Sequence, residues 1–160
     1  MISPNDPPLS NTGVVIYNID ENHDKHYSID WLRCTTGSIP IVSGKLTNKG
    51  IKMINELLHV LKSPFEYDEL RIENHGINGY KSKISVLPGI TIYLNGPVNK
   101  FGDVTTMLEI SGEGCDVFQT TDDWFELLTL IKNVDYDFKS KRIDMAIDDF
   151  YGKQISGLEF

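Results

Sequence analysis

The segment Arg142–Phe150 reads RIDMAIDDF, a strict alternation of polar and apolar residues. A strand with this pattern puts Ile143, Met145 and Ile147 on one face. Arg142, Asp144, Ala146 and Asp148 share the other. Two carboxylates separated only by alanine suit a hard divalent cation such as Mg2+ or Mn2+, which prefers carboxylate oxygens. Residues i and i+4 of a strand stand roughly 13 Å apart, too far to share one ion on a straight strand. A carboxylate from a neighbouring strand must then complete the site, and Glu109, alternating against Leu108 and Ile110, is the natural candidate. The plainer alternative is a solvated strand face on which Arg142 pairs with an acid.

Other reactive residue types carry less. His23 and His26 sit in a polar run, whereas i,i+3 histidines ligate metal mostly on helices. His59 falls in a helical pattern and His75 in a Gly/Asn-rich loop. Cys115 follows Gly112-Glu113-Gly114 but has no neighbouring base, and no Walker lysine follows. A small buried residue at a tight turn accounts for it. Trp31 and Trp124 read as core residues rather than stacking platforms.

The elements that must position these residues follow from periodicity. Val14–Ile19 and Ser28–Thr35 read as strands, with a polar loop over Asp20–His26 between them. Residues 47–61 place Ile51, Ile54, Leu57, Leu58 and Leu61 on one helical face, capped by Thr47 or Asn48 and ended by Ser63-Pro64. Glu69–Glu73 is a short strand. Leu87-Pro88-Gly89 turns a hairpin between Tyr80–Val86 and Ile90–Leu94. Met107–Ser111 is a strand and Gly112–Phe118 a tight connection. Thr120–Lys132 is a second helix with a capping threonine and acids in its first turn. This order lacks regular βαβ units. It predicts an α+β fold, with two main helices on one face of a mostly antiparallel sheet. Residues 1–12, with Pro4, Pro7 and Pro8, form a flexible lead-in to one domain over 13–160.

Composition narrows the function classes. The 160 residues are 40% hydrophobic and 24% charged, within the range of globular proteins. No apolar run approaches a membrane span, and the N-terminus lacks the apolar core of a secretory signal. Two distant cysteines argue against a disulfide scaffold and against a zinc ribbon. A reducing cytosol is the expected location. The net charge is −8, and both halves are acidic. Phosphate-tracking proteins usually carry a basic stripe, so tight binding to bare duplex is not expected. A basic protein partner suits the charge better, with nucleic acid met only through that partner.

Four segments taken together resemble a known family: Ile29–Leu32, Gly79–Tyr93, Leu108–Cys115 (LEISGEGC) and Arg142–Asp149 (RIDMAIDD). The combination resembles the N-terminal catalytic region of Gram-positive rolling-circle replication initiators and conjugative relaxases, the replication initiation factor family, over roughly residues 14–152. The resemblance implies a metal-dependent nicking enzyme. Acidic residues hold Mg2+ or Mn2+, and a tyrosine attacks a phosphodiester. Carried over, the acidic set is Asp144, Asp148 or Asp149, with Glu109 as an addition. The family's nucleophilic tyrosine lies well downstream of this strand. Here 11 residues follow Asp149, and Tyr151 is too near the strand to be that tyrosine. A full initiator reaction is therefore not expected. Some mobile-element anti-CRISPR inhibitors of Cas9 also look like short versions of this domain. With the acidic charge, that resemblance implies a protein that binds the Cas9–guide RNA complex, with metal-dependent guide truncation as an added nuclease activity. The alternative is the N-terminal part of a replication initiator lacking its tyrosine.

Overall fold

In the computed structural model, residues 16–17 and 25–149 are described, with side chains for 28–146. The expected lead-in over 1–12 and Tyr151 lie outside the described residues. In chain order the elements are β1 (Ile16–Tyr17), β2 (Lys25–Thr36), β3 (Ile41–Val42), β4 (Lys45–Leu46), α1 (Asn48–Val60), β5 (Ile72–Glu73), β6 (Ser82–Leu87), β7 (Ile90–Leu94), β8 (Thr106–Ile110), α2 (Gly112–Cys115), α3 (Thr121–Ile131) and β9 (Lys139–Asp149). The fold is α+β, as the pattern predicts.

The helices start where capping chemistry allows. Thr47 Oγ1 accepts from the Gly50 amide at 3.1 Å, satisfying a donor that the first turn leaves free. At α3 the exchange is reciprocal. Thr120 Oγ1 accepts from the Asp123 amide, and the Asp123 carboxylate accepts from the Thr120 amide. Between them, the Tyr67–Glu69 turn is 3-10 helical, so the expected Glu69–Glu73 strand shrinks to Ile72–Glu73.

Seven strands form one antiparallel sheet in the order β1-β2-β8-β7-β6-β5, with β9 on the other edge of β2. The turn at Pro88-Gly89 joins β6 to β7 as expected. Gly89 takes a φ of +79°, and a Cβ there would meet the Gly114 amide nitrogen at 2.2 Å. A Cβ on Gly114 would meet the Gly89 carbonyl at the same distance, so the backbones of the hairpin turn and α2 are in direct contact. The small β3–β4 hairpin had no sequence counterpart. Its Ser43-Gly44 turn takes positive φ at both residues, the conformation that suits a two-residue hairpin.

Core residues come from one sheet face and the two helices. Leu32, Cys34, Ile84, Ile92, Leu108 and Ile110 from the sheet join Ile54, Leu57 and Leu58 of α1 and Trp124 and Leu127 of α3. Each fully buried aliphatic side chain contributes about 1.5–3 kcal/mol relative to exposure.

Two sequence expectations need correction here. Lys25 and His26 belong to β2, not to a loop. Ile143 and Met145 do pair with the core residues Leu32 and Ile29, yet they stay 49% and 42% exposed. β9 is an edge strand, and the buried helix residues cover the central strands instead. Alternation sets the direction of a side chain but not the presence of a partner above it.

Candidate functional site on the uncovered sheet face

The face opposite the helices is built by register. Arg142 of β9 stands opposite Arg33 of β2, which stands opposite Glu109 of β8 and, through it, Thr91 of β7. One level along, Asp144 stands opposite Trp31. One level the other way lie Lys139, Thr35, Met107 and Tyr93. Paired residues in an antiparallel ladder share a face, so these side chains occupy one surface.

Two bulges make this row. Between Ile29 and Trp31 the β2 strand carries Asp30 as an extra residue. Without it, Ile29 and Trp31 would point the same way. With it, Ile29 is buried among the helices while Trp31 turns to the uncovered face. The sequence reading of Trp31 as core fails for this reason, whereas Trp124 is buried as expected. The second bulge leaves Lys141 as the extra residue of β9, opposite the Arg33–Cys34 step.

Glu109 and Asp144 are each held by an arginine, while Glu73, at the far end of the Thr35–Met107–Tyr93–Lys83 row, lies 3.7 Å from Lys83. Arg33 Nε donates to Glu109 Oε2 at 2.6 Å, and Arg33 Nη2 pairs with the same oxygen. Arg142 reaches Asp144 Oδ2 through Nε at 3.0 Å and Nη2 at 2.6 Å. The guanidinium hydrogen bonds hold the Asp144 carboxyl below the usual carboxylate range. Arg142 also lies over the Trp31 ring, 4.3 Å from its centre, in a cation–π arrangement. The Trp31 indole N–H has no hydrogen-bond partner among the described residues.

The donors present do not fit a divalent cation. Glu109 and Asp144 are two strands and one register level apart, roughly 12 Å between backbones. A metal would have to displace a guanidinium from each. Among the described residues no group of three His, Cys, Asp or Glu is close enough to hold an ion. Asp148 stands opposite His26 in the ladder and Asp149 opposite Lys25, with side chains outside the described residues.

Nucleophiles are equally constrained. Burial pushes the Cys34 thiol up to about 12, and burial with the nearby Asp30 and Asp116 charges does the same to Cys115. Burial also raises Tyr67, Tyr80, Tyr93 and Tyr136 above the ordinary phenol value. No tyrosine with a described side chain is activated for attack. His59 is exposed on α1, and exposed His75 lies 3.6 Å from Glu73. His59 lies on the helix side, whereas His75 meets Glu73 at the far edge of the uncovered face, away from Arg33 and Arg142.

Among the described residues this face gathers Arg33, Arg142, Lys83, Lys139, Trp31 and threonine hydroxyls together with Glu109, Asp144 and Glu73. Arginine forks match phosphate oxygens, and an indole face stacks on bases.

No protein-family model matches the chain, and no curated protein matches it in sequence. Among solved structures it is similar to a rolling-circle replication initiator protein from Geobacillus stearothermophilus. The TM-score is 0.54 and the identity 26%, over 79% of this chain and 45% of that one. The chain thus spans less than half the length of that neighbour. The likeness supports the resemblance to replication initiators. The expected Cas9-directed inhibitor finds no counterpart in these comparisons. No helix among the described residues is long and apolar enough to cross a membrane.

Proposed function

We propose that this chain is a replication-initiator-like domain whose uncovered sheet face receives single-stranded DNA. The observation that carries the reading is the Arg142–Arg33–Glu109 row beside Trp31, on a sheet shaped like that of a rolling-circle initiator. The arginines meet phosphates once a strand competes for them, and Trp31 stacks a base. Positioning the strand is the role assigned to this face. Cutting it, as a DNA-nicking initiator does, needs a nucleophile that the described side chains do not provide.

As arranged here, Glu109 and Asp144 do not form a single Mg2+ or Mn2+ site, and a nuclease reaction using Glu109, Asp144, Asp148 and Asp149 would need these acids brought together. Loading them requires Arg33 and Arg142 to release their carboxylates. The net charge of −8 made direct nucleic-acid binding unexpected. The fold answers by gathering cations locally on β9 and β2.

Fluorescence anisotropy with a labelled oligothymidylate at low salt tests the reading. Saturable binding that falls about tenfold or more in Arg142→Ala supports it. Binding that is absent, or unchanged in both Arg142→Ala and Trp31→Ala, rejects it.

A further inference from the structure

Beyond the uncovered face lies a groove of about 820 Å³ between the start of β9 and an arm formed by residues 95–105. Thr35, Thr36 and Ser38 line it, the Thr36 hydroxyl being engaged by the Tyr136 carbonyl and the Ser38 amide. Lys100, Lys139 and Lys141 line it, with Phe101 at its rim. Two acids line it as well. Asp137 is engaged by Lys139 at 2.9 Å, and Asp103 lies beside Gly37. Lys100 and Lys141 have no ion-pair partner among the described residues, and Lys100 sits 5.1 Å from the Phe101 ring centre. In a chain of net charge −8, two unpaired lysines in one groove are a local reversal of sign.

The arm is built to hold its tip still. Val98 and Val104 pair across it, and Asn99 exchanges backbone bonds with Asp103 and Gly102. Asn99 Oδ1 accepts from the Phe101 amide at 2.9 Å and the Asp103 amide at 3.0 Å. Thr105 Oγ1 donates to the Pro97 carbonyl at 2.7 Å. At the arm's base, Tyr80, Tyr93 and Met107 form a second small core. On this fixed tip Phe101 is 77% exposed. A large exposed aromatic ring on a hydrogen-bonded arm beside unpaired lysines matches what a base and its phosphates require.

We infer that the groove is a second contact for single-stranded DNA, with Lys100 and Lys141 on phosphates and Phe101 stacked on a base. The inference rests on the proposed function and extends it. Lys141 is the bulged neighbour of Arg142, so one strand leaving the Trp31 face passes along β9 into the groove. Cations recognise any anion, but the aromatic ring beside them selects a ligand carrying both phosphates and flat bases.

The test measures an oligothymidylate of about 16 nucleotides by anisotropy over a range of salt concentrations. Parent protein, Lys100→Ala/Lys141→Ala and Phe101→Ala are compared, with circular dichroism and urea unfolding as checks of fold. All three substitutions lie at exposed positions, so unfolding midpoints should stay together. The double lysine variant is expected to bind about tenfold more weakly, with a salt slope shallower by about 1.4, since each phosphate contact contributes about 0.7. Phe101→Ala is expected to lose fivefold or more without a change of slope, because stacking releases no counterions. Parent binding that matches both variants in affinity and slope overturns the groove and leaves the sheet-face reading standing. No binding by the parent overturns both.

Discussion

The Arg142 guanidinium lies over the Trp31 ring, 4.3 Å from its centre, while two of its nitrogens bond Asp144. One arginine thus joins an aromatic platform to a carboxylate on a face the helices leave open. This arrangement makes Trp31 a natural reporter. Trp124 is 1% exposed in the core and should not respond to ligand. Oligothymidylate is expected to quench the Trp31 contribution to fluorescence, and Trp31→Phe should abolish the change. A quench that persists in Trp31→Phe would place the strand elsewhere.

Gly114→Ala is expected to destabilise the fold by about 2 kcal/mol or more, because the new methyl meets the Gly89 carbonyl at 2.2 Å. Both partners are backbone, so neither can rotate away. Urea unfolding measures the loss, and a variant as stable as the parent would show that the turn and α2 can separate cheaply.

The two thiols predict an alkaline limit on stability. Cys34 and Cys115 ionise at about 12 when folded, against 9.0 for an ordinary thiol. Between these values the unfolded chain has released protons that the folded chain retains. Stability is therefore full below about pH 9 and falls as pH rises towards about 12. Urea midpoints at about pH 8 and about pH 10.5 should show the decline. It should be shallower in Cys34→Ala/Cys115→Ala. An equally steep decline in that variant would assign it to other groups.

The divalent-ion question has its own outcome. If the protein cuts a single strand in Mn2+, Asp144→Asn and Asp148→Asn should each lower the rate at least tenfold, as should chelator. Arg142→Ala should raise the apparent Mn2+ affinity by freeing Asp144. Cleavage indifferent to both aspartate variants and to chelator would remove the acidic set from the mechanism.

Local pattern was enough for much of this protein. The helices at 48–60 and 121–131, the hairpin around Pro88-Gly89, the strand at 106–110 and the alternating strand to Asp149 all follow from short-range periodicity, caps and turn residues. These features depend on neighbours in the chain and so are visible there. So was the placing of Asp144 opposite Ile143 and Met145 on β9. The sequence alone did not show that β9 is an edge strand, because edge position depends on which strands pair. Nor did it show the extra residue Asp30, which turns Trp31 out of the core while Ile29 stays in it. Glu109 and Asp144 were legible as acids, and Arg142 as an ion-pair partner on the same strand as Asp144, but the capture of Glu109 by Arg33 requires a register between strands 76 positions apart. Lys100 meets Lys139 and Lys141, themselves two residues apart in the chain, for the same reason. Charge counted over the whole chain is acidic, with a short basic run at Lys139-Ser140-Lys141-Arg142 that only the fold brings beside Lys100, because ligands meet charges at separations set by space and not by sequence.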